Sequence, residues 1–173
     1  MGVDDSSMST RENAMEALAG ESQANRKYSV FAEKAAAEGF PNVAKLFKAA
    51  SEAEAIHAKK LLKAMGMIGS TMENLEKAVA GETYEYTEMY PKFVEEAEAE
   101  KKSDALLAFN YALQAEEVHA GLYSEALKSL KSGQDMSNRT VWLCPVCGNI
   151  FLGQAPEKCP ICKVFKKIFR EIV

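Results

Sequence analysis

Between Ser9 and about Lys131 the apolar residues recur every three or four positions in a background rich in Ala, Glu, Lys and Leu, the period of helices with one buried face. Within that stretch proline occurs at Pro41 and Pro91 alone. Gly39, Phe40 and Pro41 divide a first helix, expected over 9–38, from a second over 42–65, and so tight a turn makes the two antiparallel neighbours. A loop through Gly66 and Gly69, with a short helical piece over 72–80, leads to a third helix expected over 82–101 and bent at Pro91. That connection is able to cross a bundle. Ser103 or Asp104 caps a fourth helix that runs to about Leu130. Beyond Gly133, Gln134 and Asp135 the helical period is lost, and β-branched and aromatic residues gather around cysteines. The pattern predicts an all-α four-helix bundle over 9–132, a linker over 133–137 and a small domain of short β-strands over 138–173. Residues 1–8 read as a disordered leader, with Met8 as an alternative start.

The helical region repeats itself. Residues 31–58 placed over 93–120 without a gap align Phe31 with Phe93, Glu54 with Glu116, His57 with His119 and Ala58 with Ala120, and Tyr28 falls on Tyr90 at the same offset. Ala19-Gly20-Glu21-Ser22 matches Ala80-Gly81-Glu82-Thr83 if the second copy carries one inserted residue. Each copy therefore offers a Glu and then Glu-x-x-His. Duplicated hairpins about a pseudo-twofold axis would bring both sets to the centre of a bundle, the layout of ferritin-like carboxylate proteins.

Glu54 and His57 interrupt an apolar stripe made of Val43, Leu46, Phe47, Ala50, Ala58 and Leu61, and Glu116 and His119 interrupt one made of Phe109, Ala112, Leu113 and Tyr123; Glu117 points elsewhere. A carboxylate on a buried face is costly unless it is paired or bound to metal. A Glu followed by a His three residues on projects an oxygen and a nitrogen to one point. One such motif would be unremarkable on a solvated helix; two at equal offset on apolar stripes indicate a metal site. Carboxylate and imidazole donors without thiolate suit iron or manganese, and zinc less well. Glu21, Glu54, Glu82 and Glu116 carry four negative charges, matching two divalent ions. Glu85, three residues after Glu82, can supply a fifth carboxylate when the metals become trivalent, whereas Glu88 has no counterpart in the first copy and reads as a surface or outer residue. Tyr28 and Tyr90 serve either as hydrogen-bond donors to ligating carboxylates or as packing.

Composition narrows the field. With 47% hydrophobic and 27% charged residues the chain is neither disordered nor membrane-embedded, and a net charge of -4 argues against non-specific nucleic-acid binding. No apolar run of about 18 residues marks a membrane span, and residues 1–7 are polar. A cytoplasmic location is expected. All four cysteines lie in Cys144-Pro-Val-Cys147-Gly148 and Cys159-Pro-Ile-Cys162, whose spacing completes a tetrahedral four-thiolate centre. Iron and zinc both fit such a centre. Trp142, Phe151, Phe165 and Phe169 are expected to form its dry shell, as a redox-tuning wall or as a miniature core.

These motifs resemble the rubrerythrins, a ferritin-like di-iron domain followed by a rubredoxin-like domain. The likeness runs from about Ser9 to Val173 and rests on Ala19-Gly20-Glu21-Ser22-Gln23-Ala24, the two Glu-x-x-His motifs, Ala80-Gly81-Glu82 with Glu85, the run Tyr86 to Pro91 and the two cysteine knuckles. The resemblance implies that Glu54 and Glu116 bridge two irons, that Glu21 and Glu82 are terminal ligands and that His119 binds one iron. The other iron would exchange His57, when reduced, for Glu85, when oxidised. It further implies a peroxidase that reduces hydrogen peroxide to water in oxidative-stress defence. Electrons would come from an NAD(P)H-dependent reductase or a rubredoxin through the iron at Cys144, Cys147, Cys159 and Cys162. The same resemblance implies a homodimer, with helix exchange between subunits compatible with it. One departure stands out. Lys163 occupies the place after the second knuckle where rubredoxin-like domains usually have glycine, which predicts a shifted potential or an altered turn. An iron-storage protein and a zinc-knuckle binding module are the rival readings. The cysteine domain speaks against the first, and the lack of a basic, aromatic stripe outside 163–170 speaks against the second.

Overall fold

The computed structural model describes residues 9–137 and 139–173, so the leader expected over 1–8 lies outside the described residues. Among the described residues five α-helices, α1 Thr10–Ala37, α2 Pro41–Ala64, α3 Thr71–Tyr84, α4 Tyr90–Ala99 and α5 Ser103–Lys131, precede three short strands, β1 Val141–Leu143, β2 Ile150–Leu152 and β3 Arg170–Ile172. Helices α3 and α4 are joined without a loop by a π-helical turn, Glu85–Met89. They correspond to the single third helix of the sequence reading. Among the described residues no helix is long and apolar enough to cross a membrane.

The chain forms two compact units, one ending at Gly69 and the other running from Ser70 to Val173. In the first, α1 and α2 make an antiparallel hairpin. A capping box at Ser9 and Glu12 starts α1, and Gly39, at φ 84°, supplies the left-handed residue that ends it. Pro41 occupies the first turn of α2, where no N–H is required. The buried Ser51 ties the hairpin together: its hydroxyl donates to the Asn25 carbonyl at 2.8 Å, and Asn25 Nδ2 donates to the Ser51 carbonyl at 2.7 Å.

The second unit repeats the hairpin with α3–α4 against α5. Lys101, at φ 56°, stands 62 residues after Gly39 and performs the same left-handed turn. The aromatic clusters repeat as well: Phe31 meets Phe47 and Phe93 meets Phe109, both with ring centroids 5.5 Å apart, and Tyr28 and Tyr90 flank the respective pairs.

Two expectations change. Helix α3 begins at Thr71, not near Gly81, because Ser70 and Glu73 form a capping box as complete as that of α1 and nothing between them and Gly81 stops a helix. The connection from α2 is therefore six residues, 65–70, and is no long crossover. The apolar stripe of α2 is only partly covered: Val43 is 45% and Leu46 70% exposed, since one antiparallel neighbour cannot cover so wide a face.

The strands form an antiparallel sheet of order β2-β1-β3, with Trp142 opposite Phe151 and Glu171. Its core is Cys144, Cys147, Ala155, Cys159 and Phe169, packed on Trp142, Phe151 and Tyr111 of α5. Phe151 stacks on Phe169 at 5.0 Å. Phe165 is 57% exposed beneath the Lys158 ammonium and does not join the shell expected of it, because a bridge between Lys158 and Phe165 turns its ring outward.

Candidate metal centres

Each hairpin gathers one of the groups read from sequence. In the first, donor atoms of Glu21, Glu54 and His57 lie within 4.8 Å of one another, and in the second so do those of Glu82, Glu116 and His119. Glu116 faces inward while Glu117 is exposed. The i,i+3 spacing does the local work: His57 Nδ1 is 2.9 Å from Glu54 Oε2, and His119 Nδ1 is 2.6 Å from Glu116 Oε2.

The two groups differ in setting. His57 is 53% exposed, and its Nδ1 also faces Glu21 Oε1 at 3.6 Å. The His119 side chain is 16% exposed, and its Nε2 lies 3.0 Å from the carbonyl oxygen of Gly148 in the first cysteine knuckle. A proton on Nε2, donated to that carbonyl, leaves the Nδ1 lone pair free toward Glu116. That is how a metal-binding imidazole is oriented from its far side. Among the described residues His57 Nε2 has no such partner. Sequence reasoning did not find Gly148 as a partner of His119, because a carbonyl 29 residues away leaves no mark in side-chain spacing.

The carboxylates crowd. Burial, then hydrogen bonding and repulsion from Glu116, push the Glu82 carboxyl up to about 7. Glu85 is raised by burial and by Glu116, and Glu21 by its hydrogen bond to Glu54. Carboxylates this close need a shared proton or a cation between them. Each group's two carboxylates and imidazole fit a divalent metal, whose charge would take the place of those protons.

Glu85 opens the π turn, and that turn answers the one-residue insertion expected from the repeat. The offset between the copies is 61 residues at Gly20 and Gly81 but 62 at Tyr28 and Tyr90, so the extra residue falls where the helix widens, Glu85–Met89. The interruption expected at Pro91 takes the form of this turn, with Pro91 in the first helical turn after it. Glu88 is exposed and reaches toward Lys92. Tyr28 and Tyr90 pack in their aromatic clusters. The Tyr90 phenol is raised by burial and by the nearby charges of Glu85, Glu116 and Glu82.

The four cysteines are free thiols whose sulfur atoms lie within 4.8 Å of one another, with Cys144 to Cys162 and Cys147 to Cys159 both at 3.5 Å. These gaps are far beyond a disulfide and close to the ~3.8 Å edge of a tetrahedron with metal–sulfur bonds of ~2.3 Å. Backbone amides aim at the sulfurs. Burial opposes ionisation of Cys159, yet the amides of Cys162 and Ile161 outweigh it and bring the thiol down to about 7; Cys147, chiefly through burial, is raised. The two knuckles are alike despite Lys163. Gly148 N donates to Cys144 O and Lys163 N to Cys159 O, both at 3.0 Å, with φ of 80° and 65°. The turn is thus unaltered: Lys163 adopts the left-handed conformation that glycine adopts in the first knuckle, and its ammonium donates to the Pro160 carbonyl.

Known proteins with these features match most of the chain. The rubrerythrin family model matches residues 12–127, and the model for the rubredoxin-like domain of rubrerythrin matches 142–170. Rubrerythrin-2 of Clostridium acetobutylicum is 39% identical over 168 residues, 89% of this chain and 91% of that protein. Nigerythrin of Nitratidesulfovibrio vulgaris is 38% identical over 89% of this chain and 82% of its own. A solved structure of nigerythrin in its fully reduced, all-ferrous state covers 98% of this chain and 89% of that one, with a TM-score of 0.57 and 34% identity. The fold is the one expected, mostly helical and ferritin-like with a small rubredoxin-like sheet, and the carboxylate–histidine groups and the four-cysteine knuckle are iron-binding sets. Two Glu-x-x-His hairpins and a cysteine knuckle, matched by both family models, make this chain a member of the rubrerythrin family.

Proposed function

We propose that the protein is a cytoplasmic peroxidase that reduces hydrogen peroxide to water with two electrons and two protons. Its electrons come from an NAD(P)H-dependent reductase or a rubredoxin. Residues 9–132 form the di-iron domain, 133–137 the linker and 138–173 the electron-entry domain. Glu21, Glu54, His57, Glu82, Glu116 and His119 hold two irons, and Cys144, Cys147, Cys159 and Cys162 hold one. When bound, the di-iron pair supplies two electrons at one place and the cysteine iron passes them singly.

The observation that carries this reading is the contact of His119 Nε2 with the Gly148 carbonyl, 3.0 Å apart. It links a cysteine knuckle to a ligand of the helical site through one hydrogen bond. A storage protein has no use for such a link, whereas an electron-relaying enzyme needs it. Glu85 and His57 are the exchanging pair: burial and Glu116 raise the Glu85 carboxyl, and positive charge arriving beside it would favour its ionised form. Tyr28 and Tyr90 support the ligands from behind.

The test is metal content and the visible spectrum, before and after peroxide is added to a reduced sample. About three irons per chain are expected. A thiolate-to-iron band should bleach on reduction and return with peroxide. Zinc at the cysteines and no such band would overturn the electron relay, and many irons per chain would indicate storage.

A further inference from the structure

Resting on the electron-relay reading, we infer that the second cysteine knuckle and a basic collar around Phe165 form the docking site of the electron donor, and that this donor is an acidic one-electron carrier protein. Charge is divided unevenly along the chain. Residues 139–173 hold six Lys or Arg against Glu157 and Glu171, a net +4, in a chain whose total is -4. Residues 1–138 therefore carry -8. Arg139 is engaged by Glu125. The other five, Lys158, Lys163, Lys166, Lys167 and Arg170, form no ion pair among the described residues, and all but Lys166 are exposed.

The second knuckle brings these cations together. Lys158 immediately precedes Cys159, and Lys163 immediately follows Cys162. The bridge between Lys158 and Phe165 sets the Lys158 ammonium 4.7 Å from the centre of the Phe165 ring, and a 3-10 turn, Lys166–Ile168, follows directly. Phe165, Lys166 and Lys167 line one surface depression together with Glu157. Cys162 is the one cysteine of the four that is not fully buried. The first knuckle serves a different neighbour, since its Gly148 carbonyl meets His119 of α5. An exposed ring among cations is the pattern of a contact with an apolar centre and a charged rim. An acidic partner is drawn to this collar and repelled by the rest of the chain, so its encounters are steered to the knuckle whose cysteine lies nearest to water. Phe165 is the one exposed ring among the described residues of this domain, which leaves a nucleic acid no second platform on which to stack. Each encounter delivers one electron and leaves the donor oxidised by one. Two encounters match the two electrons that one peroxide consumes, with two protons, in forming two waters.

The test uses the full-length, iron-loaded protein, with flavodoxin as the probe, an acidic flavin protein whose colour is distinct from a thiolate-to-iron band. Calorimetric titration with oxidised flavodoxin at ~20 mM ionic strength should show a complex that weakens at least about tenfold at ~200 mM. Lys166→Glu with Lys167→Glu should weaken the low-salt complex about tenfold, and should lower by a like factor the stopped-flow rate at which reduced flavodoxin bleaches the band. Reoxidation of the dithionite-reduced variant by peroxide should keep its wild-type rate. Lys45→Glu with Lys48→Glu on α2 changes the net charge equally and should leave binding within about twofold of wild type. If the Glu pair disturbs the band, Lys166→Gln with Lys167→Gln carries the test, with about a threefold loss. Absent or salt-independent binding, or equal binding and bleaching in wild type and the variants at Lys166 and Lys167, would overturn the docking site alone. So would tighter binding of mixed-sequence duplex DNA that the same variants abolish. Failure of dithionite-reduced wild-type protein to recover its band with peroxide would overturn the relay reading, and this inference with it.

Discussion

The two half-sites carry the same three residue types on the same hairpin, yet one is open and the other held. Around His57 the carboxylates are partly buried but the imidazole is exposed, and the ligands lean on each other. Around His119 they are partly buried, backed by the Gly148 carbonyl and flanked by a π turn that adds Glu85. The difference shows how duplication separates roles. In the backed half the imidazole is oriented from its far side by the Gly148 carbonyl, and in the open half it has no such partner among the described residues.

The sharpest way to break that contrast is to remove each histidine. His119→Ala should lower reductase-supported peroxide turnover by more than ~100-fold, since a ligand and the contact with the knuckle vanish together, and His57→Ala by about tenfold. Equal losses in steady-state assays would abolish the distinction. Next in size is Glu85→Ala, which should keep both helical irons in the reduced protein yet lower turnover by about 100-fold, as the fifth carboxylate is needed only after oxidation. Iron analysis read alongside the rate separates this from simple loss of metal.

A pH experiment on metal-free protein sharpens the comparison further. Burial and Glu116 raise Glu82 from 4.5 to about 7, so the folded state holds a proton that the unfolded chain has released. This contribution to stability is fully present below pH 4.5 and is lost as pH rises through about 7. The thermal midpoint of the metal-free protein should therefore be higher at pH 5.5 than at pH 8, by about 2–4 °C. Glu82→Gln should flatten the dependence, and Glu21→Gln should change it less because the first half-site is open to water. A metal-free midpoint that rises between those pH values would contradict the assignment. The smallest effect belongs to the same kind of asymmetry in the knuckles. Lys163→Gly should stabilise the metal-loaded protein against denaturant by ~1 kcal/mol, and Gly148→Ala should destabilise it by a similar amount, since both positions are left-handed and only one has glycine.

Much of this architecture is legible in the sequence because it is local. Glu-x-x-His at equal offsets fixes both ligand groups, the cysteine knuckles fix the third centre, and the shift from 61 to 62 residues foretells the wide turn. What escaped has physical causes. The start of α3 at Thr71 depends on a four-residue capping box that Gly66 and Gly69 overshadow. The outward turn of Phe165 depends on a bridge to Lys158, and the Gly148 carbonyl bears no residue type at all. The stripe of α2 is periodic, but periodicity says which face seeks cover and not how far one neighbour covers it.

The wide turn at Glu85–Met89 also has a genetic meaning. A substitution changes a side chain and leaves the residue count of a helix as it was, whereas one inserted residue is accommodated by a wider turn. One residue more between Thr83 and Tyr90 than between Ser22 and Tyr28 thus sets the two hairpins apart, and it falls where Glu85 stands beside the second ligand group.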